Sequence, residues 1–240
     1  MGELRVFETR AALAQAAAGK IAQRIAAGVG LGGRFRIALS GGSTPVDTYR
    51  ALARGPWVGR QTWRGVEIYF VDERAVPPDD PASNYRMARE TLIDPAAIPP
   101  ANVHRIRAEE ADLETVARQY AMTLPPAPDL LVLGIGEDGH TASIFPHSPE
   151  AREVIARVVV VRDSPKPPPT RVTITPRVLR EAREIMVLAT GAAKAPAVAS
   201  ALEGTTDPDR TPARLVRERE WLIDREAAVL LHQPGEPRRP

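Results

Sequence analysis

The stretch D-L-L-V-L-G-I-G-E-D-G-H-T-A-S-I-F-P, Asp129 to Pro146, decides how this chain is read. Its first six residues are continuously apolar after Asp129 and stop at Gly134. Such a run has no alternation, so it predicts a strand buried on both faces. Strands of that kind belong to parallel sheets covered by helices on either side. Related apolar runs recur in R-F-R-I-A-L (Arg34 to Leu39), V-E-I-Y-F-V (Val66 to Val71) and I-M-V-L-A-T (Ile185 to Thr190). Val158 to Val161, Arg171 to Thr175 and Trp221 to Ile223 read as further strands.

Between these runs the period changes to that of helices. Over residues 9 to 27, Leu13, Ala17, Ile21 and Ile25 recur at helical spacing behind Thr9 as N-cap, and glycines from Gly28 onward end the helix. Thr44-Pro45 opens a helix to about Ala53, with Thr44 as N-cap and Pro45 at the first helical position. Residues 84 to 93, 112 to 123 and 192 to 202 also read as helical, and Asp224 as the cap of a short final helix. Strands alternating with helices predict an α/β fold of three layers, α/β/α, around a mostly parallel sheet. Neither repeats nor linkers divide the chain, so residues 1 to 240 are expected to form one domain, with 234 to 240 a flexible tail.

Composition excludes several classes. The 240 residues include 43% hydrophobic and 26% charged, with a formal net charge of only +2 and no Cys. There is then no disulfide, thiolate metal site or thiol nucleophile. No apolar run reaches the roughly 20 residues that span a bilayer, so no membrane association is expected. Met1 to Arg5 lacks the basic start and apolar core of a signal peptide, which makes the cytoplasm the default expectation. The basic residues are interspersed with acids and form no stripe with aromatics, so nucleic acid is not an expected partner. Lys occurs three times, at Lys20, Lys166 and Lys194, against 29 Arg. Biased codon usage explains the ratio, but Lys and Arg are not interchangeable at every site.

In open parallel sheets ligands bind beyond the carboxyl ends of the strands, and the unusual residues cluster there. L-S-G-G-S-T-P, Leu39 to Pro45, joins a buried strand to a helix through Gly41 and Gly42. The amides there, with Ser43 and Thr44, would bind an anion. It lacks the Walker and G-x-G-x-x-G spacings. V-D-E-R-A-V-P, Val71 to Pro77, is followed by D-D-P-A-S-N-Y-R, Asp79 to Arg86. In it Asp72 or Glu73 would bond sugar hydroxyls and Arg74 or Arg86 an anion. In the opening stretch, Asp138 and His140 flank Gly139, and a tight turn would let the carboxylate orient the imidazole as a general base. One carboxylate and one His make a poor metal site. S-P-K-P-P-P-T-R, Ser164 to Arg171, holds Lys166 and Arg171 on an extended loop. T-G-A-A-K-A, Thr190 to Ala195, puts Lys194 at a helix start, where a cation opposes the dipole unless an anion sits between them.

These motifs, in this order over nearly the whole chain, together with W-L-I-D near its end, resemble those of the 6-phosphogluconolactonases. The resemblance implies a modified Rossmann fold shared with glucosamine-6-phosphate deaminase, ribose-5-phosphate isomerase and CoA-transferase-like proteins. It also implies a carboxylic ester hydrolase of the pentose phosphate pathway that needs no cofactor and no metal. Its substrate would be the small-molecule lactone 6-phospho-D-glucono-1,5-lactone, with the protein a monomer or weak homodimer. His140 with Asp138 would be catalytic. The phosphate would meet Gly41 to Thr44, Arg74 and Lys166, with Arg171 and Lys194 as further cations. The deaminases typically carry Asp-Glu-Tyr and a later Asn-Glu-Pro where this chain has Asp72-Glu73-Arg74 and Ile144-Phe145-Pro146, which favours the lactonase branch. A deaminase on an amino-sugar phosphate and a non-enzymatic sugar-phosphate sensor are the alternatives.

Overall fold

The four apolar runs become four neighbouring strands. The computed structural model describes residues 2–30, 32–205 and 207–232. Among these, β1 (Leu4–Phe7), β2 (Phe35–Leu39), β3 (Val66–Phe70), β5 (Leu130–Gly134), β8 (Glu184–Ala189) and β9 (Glu220–Asp224) form one parallel sheet. Its order is β1-β9-β8-β5-β2-β3. Leu130 to Leu133 are all fully buried. Since successive strand side chains point to opposite faces, both faces of β5 are covered, as three layers require.

The helices are α1 (Arg10–Gly30), α2 (Ser43–Arg54), α3 (Arg60–Trp63), α4 (Asn84–Ala88), α5 (Leu113–Thr123), α6 (Pro176–Glu181) and α7 (Ala195–Leu202). In α1 the stripe Leu13, Ala14, Ala17, Ala18, Ile21, Ala22 and Ile25 is buried, the 3–4 spacing of a helix with one covered face. It packs on α2 and along β9, β1 and β2, while α2 meets β5 and β8. Tyr120 of α5 docks its helix on β3: its hydroxyl donates to Phe70 O at 2.8 Å and accepts from Phe70 N at 2.7 Å.

Several elements differ from the sequence reading. The second helix starts at Ser43, capped by Gly42 at φ 98°, not by Thr44. The Thr44 hydroxyl instead pairs with Thr190 Oγ1 at 3.1 Å, across to the end of β8. The first helix runs on through Gly28, which is glycine for space: a Cβ there would meet the Phe35 ring at 2.7 Å. Residues 84 to 93 are α4 followed by a π-turn at Arg89–Ile93. Asp224 caps a turn, accepting from Ala227 N at 2.8 Å and from Gly191 N at 3.0 Å. β1, four residues with no buried position, has no period to announce it. Asp72, Glu73 and Arg74 are themselves a strand, β4 (Asp72–Arg74), in a second, antiparallel sheet with β7 (Arg171–Ile174) and β6 (Val158–Val161). The expected tail lies outside the described residues.

From β2 the chain steps outward to β3, then returns to β5 on the other side of β2 and proceeds to β8 and β9. The winding therefore reverses between β2 and β5, and the crevice beyond their carboxyl ends is where such sheets bind ligands.

Candidate functional site

At that crevice a cavity of about 240 Å³ is lined by Ser40 to Pro45, Asp72, Arg74, Gly134 to Gly136, His140, Ala142, Lys166, Arg171 and Lys194. All five clusters singled out in the sequence contribute to it.

Its floor is the turn from β2 into α2. Gly41 must be glycine because a Cβ there would fall 1.8 Å from Asn84 Oδ1. At Gly42 the constraint is conformational: φ is +98°, and no neighbour lies within 4 Å of a Cβ position. The turn is therefore open to an approaching ligand. No side chain caps α2, so its first amides and its positive dipole end are left for an anion.

One wall is the Gly134–Pro146 segment. His140 Nδ1 lies 2.5 Å from Asp138 Oδ1. The loop is closed by Gly136 N donating to His140 O at 2.8 Å and Gly139 N donating to Gly136 O at 3.0 Å. Gly139 supplies the left-handed φ of 86° that the turn needs. Burial alone would raise the Asp138 carboxyl, but the hydrogen bond and charge of His140 outweigh it and pull the group down to about 2. Asp138 is thus a carboxylate that accepts Nδ1–H, which leaves Nε2 as the basic nitrogen. The His140 ring also packs against Phe145, centroids 4.6 Å apart.

The other wall is cationic. Arg74 donates to Ala82 O at 2.5 Å, while its Nε is buried with no protein acceptor. Lys194 Nζ lies 4.0 Å from Glu137. Burial lowers the Lys194 ammonium from its ordinary value; Glu137 opposes this and Lys166 adds to it. Arg171 is held from beneath by loop carbonyls and Ser143. Asp72 is the one carboxylate in the lining; Asn84 Nδ2 donates to its Oδ1 at 3.0 Å and Ser143 Oγ to its Oδ2 at 2.6 Å. Four cations against one lining carboxylate suit a multiply charged anion such as a phosphate ester.

Two expected ligands are not in the lining. Glu73 turns inward, where Arg74 N, Asn84 N, Tyr85 N and Ser83 Oγ all donate to its carboxylate. Each of its two oxygens accepts two of these bonds, which hold α4 onto β4 rather than a sugar. Burial pushes its carboxyl up, against the pull of those amides. Arg86 pairs with Glu90 at 2.8 Å and donates to Asp79 O. Sequence reasoning gave no role to Asn84 or Ser143. Their partner Asp72 is 12 and 71 residues away respectively, beyond any spacing rule. Among the described residues, no cluster of three or more His, Cys, Asp or Glu could hold a metal, and no helix is long and apolar enough to cross a membrane.

Fold and site together define an α/β protein with a cation-lined cavity at the switch point of its sheet and a carboxylate-paired imidazole in its wall. The family model for glucosamine-6-phosphate isomerases/6-phosphogluconolactonase matches residues 8–224, and the chain belongs to that family. It is 36% identical over 244 residues to the 6-phosphogluconolactonase of Mycobacterium tuberculosis, covering 95% of this chain and 98% of the relative. It is 38% identical over 220 residues to that of Synechocystis, covering 86% and 89%. The solved 6-phosphogluconolactonase of Trypanosoma brucei superposes with a TM-score of 0.86 at 34% identity, covering 97% of this chain and 99% of that one.

Proposed function

We propose that the chain hydrolyses 6-phospho-D-glucono-1,5-lactone to 6-phospho-D-gluconate, the second step of the oxidative pentose phosphate pathway. The observation that carries this reading is the Asp138–His140 pair beside a cation-lined cavity at an uncapped helix start. The names of the relatives support the choice of substrate.

The phosphate docks on the amides of Gly41 to Thr44, with Arg74, Lys166 and Lys194 neutralising it. Charges remote from the reacting carbon thereby place the lactone carbonyl beside His140. Nε2 of His140 takes a proton from water as the water oxygen attacks C1. Backbone N–H groups of the glycine-rich turns receive the oxyanion. The C1–ring oxygen bond then breaks, and His140 returns its proton to the departing oxygen. Asp138 stays ionised throughout and stabilises the transient imidazolium. Asp72, fixed by Asn84 and Ser143, bonds a sugar hydroxyl. General base action contributes about 10²–10⁴-fold, ample for a lactone that already opens in water.

The test adds freshly prepared lactone to the protein in weak buffer and follows acid release. A rate well above the spontaneous one is expected, with no ammonia released from glucosamine-6-phosphate. Acid release at the spontaneous rate refutes the assignment.

A further inference from the structure

Arg171 lines the cavity, yet each of its three guanidinium nitrogens donates to the protein. Nε donates to Pro168 O at 3.1 Å, Nη2 to Lys166 O at 2.9 Å, and Nη1 to Ser143 Oγ at 3.3 Å. Its residue is only 4% exposed. The loop it grips closes on itself as well. Ser164 Oγ donates to Lys166 O at 2.9 Å and accepts from Lys166 N at 3.2 Å, and Ser164 N donates to Pro169 O at 3.0 Å. Carbonyls of this segment thus converge on one guanidinium, while Lys166 itself lines the cavity. Among the described residues no carboxylate forms an ion pair with the Lys166 ammonium, which acts on Asp138 through its charge at longer range.

We propose that Arg171 is a positioning residue: it moulds the 164–170 loop so that Lys166 meets the anion, and is not itself an anion ligand. The proposal deepens the sugar-phosphate reading of this site and rests on it. The fork geometry is what the role demands. Lys166 O and Pro168 O lie two residues apart, and a planar guanidinium reaches both at once, whereas an ammonium has no fixed fork. The charge balance is supplied from behind: Ser143 Oγ accepts from Arg171 and donates to Asp72 at 2.6 Å. One buried hydroxyl therefore couples the loop that carries Lys166 to the carboxylate on the opposite strand. The Arg171 guanidinium also lies over the Phe145 ring at 5.4 Å, and Phe145 supports His140.

The experiment is a set of double-mutant cycles with two readouts on the full chain: calorimetric Kd for inorganic phosphate, and KM against kcat for the lactone. The variants are Arg171→Lys, Arg171→Gln, Ser164→Ala, Lys166→Ala, and the first three combined with Lys166→Ala. Positioning predicts that Arg171→Lys weakens phosphate binding and raises KM about tenfold although the charge is kept. Each double variant is then no worse than Lys166→Ala alone, because residues acting through one another are not additive. Losses that multiply, with Arg171→Lys near the parent, mean direct charge recognition and overturn the proposal. If Arg171→Gln does not fold, Arg171→Lys and Ser164→Ala carry the same comparison. Coupled losses in phosphate affinity with no lactone hydrolysis by the parent leave the proposal standing and refute only the substrate. A parent that binds no phosphate overturns both.

Discussion

Gly136 lies in the narrow space beside the Asp138–His140 pair, and Gly136→Ala tests the pair without removing either member. A Cβ at Gly136 would sit 2.0 Å from His140 Nδ1, 2.2 Å from its Cε1 and 2.4 Å from Asp138 Oδ1. Its φ is outside the left-handed region, so alanine is excluded only by space. The imidazole must retreat by about 1.4 Å before the contact reaches an ordinary 3.4 Å. That motion also breaks the 2.5 Å contact with Asp138, which fixes the tautomer and the direction of Nε2. A misplacement of about 1 Å costs on the order of 10²-fold in rate, or about 2.7 kcal/mol of barrier. With the phosphate assigned to other loops in the proposed reaction, kcat is expected to fall about 10²-fold while KM and the Kd for 6-phosphogluconate stay within about threefold. Initial rates of acid release on fresh lactone, corrected for spontaneous opening, measure it. Gly19→Ala, in α1 with nothing within 4 Å of its Cβ, is the control. It keeps full activity and gains about 0.5–1 kcal/mol of stability from helix propensity. An active Gly136→Ala enzyme refutes the claim that the pair's geometry governs the rate.

Other expectations follow from the same contacts. His140→Ala removes most activity while leaving 6-phosphogluconate affinity near that of the parent; retained turnover would assign the base elsewhere. Gly41→Ala forces Asn84 away, so KM rises more than kcat falls in steady-state assays, and unchanged kinetics would contradict the close approach. Glu73→Ala strands donors at the start of α4 and lowers stability by about 3 kcal/mol in urea unfolding; a loss confined to KM would show that Glu73 serves the ligand. The Asp138 carboxyl lies below its ordinary 3.8, at about 2. Its contribution to stability is complete above the ordinary value and is lost as pH falls toward about 2. Unfolding midpoints of parent and Asp138→Asn therefore keep a constant gap at neutral and mildly acidic pH, and that gap narrows below about pH 4; a gap widening with acid has the wrong sign.

What can be read from the sequence depends on how local the cause is. Leu130 to Leu133 announce their strand because four consecutive apolar residues have few other uses. The pairing of Asp138 with His140 is legible because two residues across a glycine have little choice of partner. Glu73 escapes such a reading because a carboxylate after a strand looks alike whether it faces solvent or caps a helix eleven residues on. Thr44 escapes it because Gly42 takes the capping position and leaves the hydroxyl for Thr190, 146 residues away. Lys20 looks like any helical cation that Arg could replace. Its ammonium lies 2.5 Å from Glu220, which Arg24 also binds, so the site ties α1 to β9. Contacts of that separation leave no mark in a window of the sequence.

The pairing of β1 with β9 has a consequence for synthesis. Leu4 to Phe7 are matched residue for residue with Trp221 to Asp224, so β1, once made, waits for β9. At about 5–20 residues per second that delay is on the order of 10–40 s. Throughout it, β9 is unmade and β1 has no partner strand within its own chain, while β2, β3 and β5 have theirs once residue 134 is made. The sheet is therefore completed from its middle outward, and closing it at the β1 edge is reserved for a chain whose translation has reached residue 224.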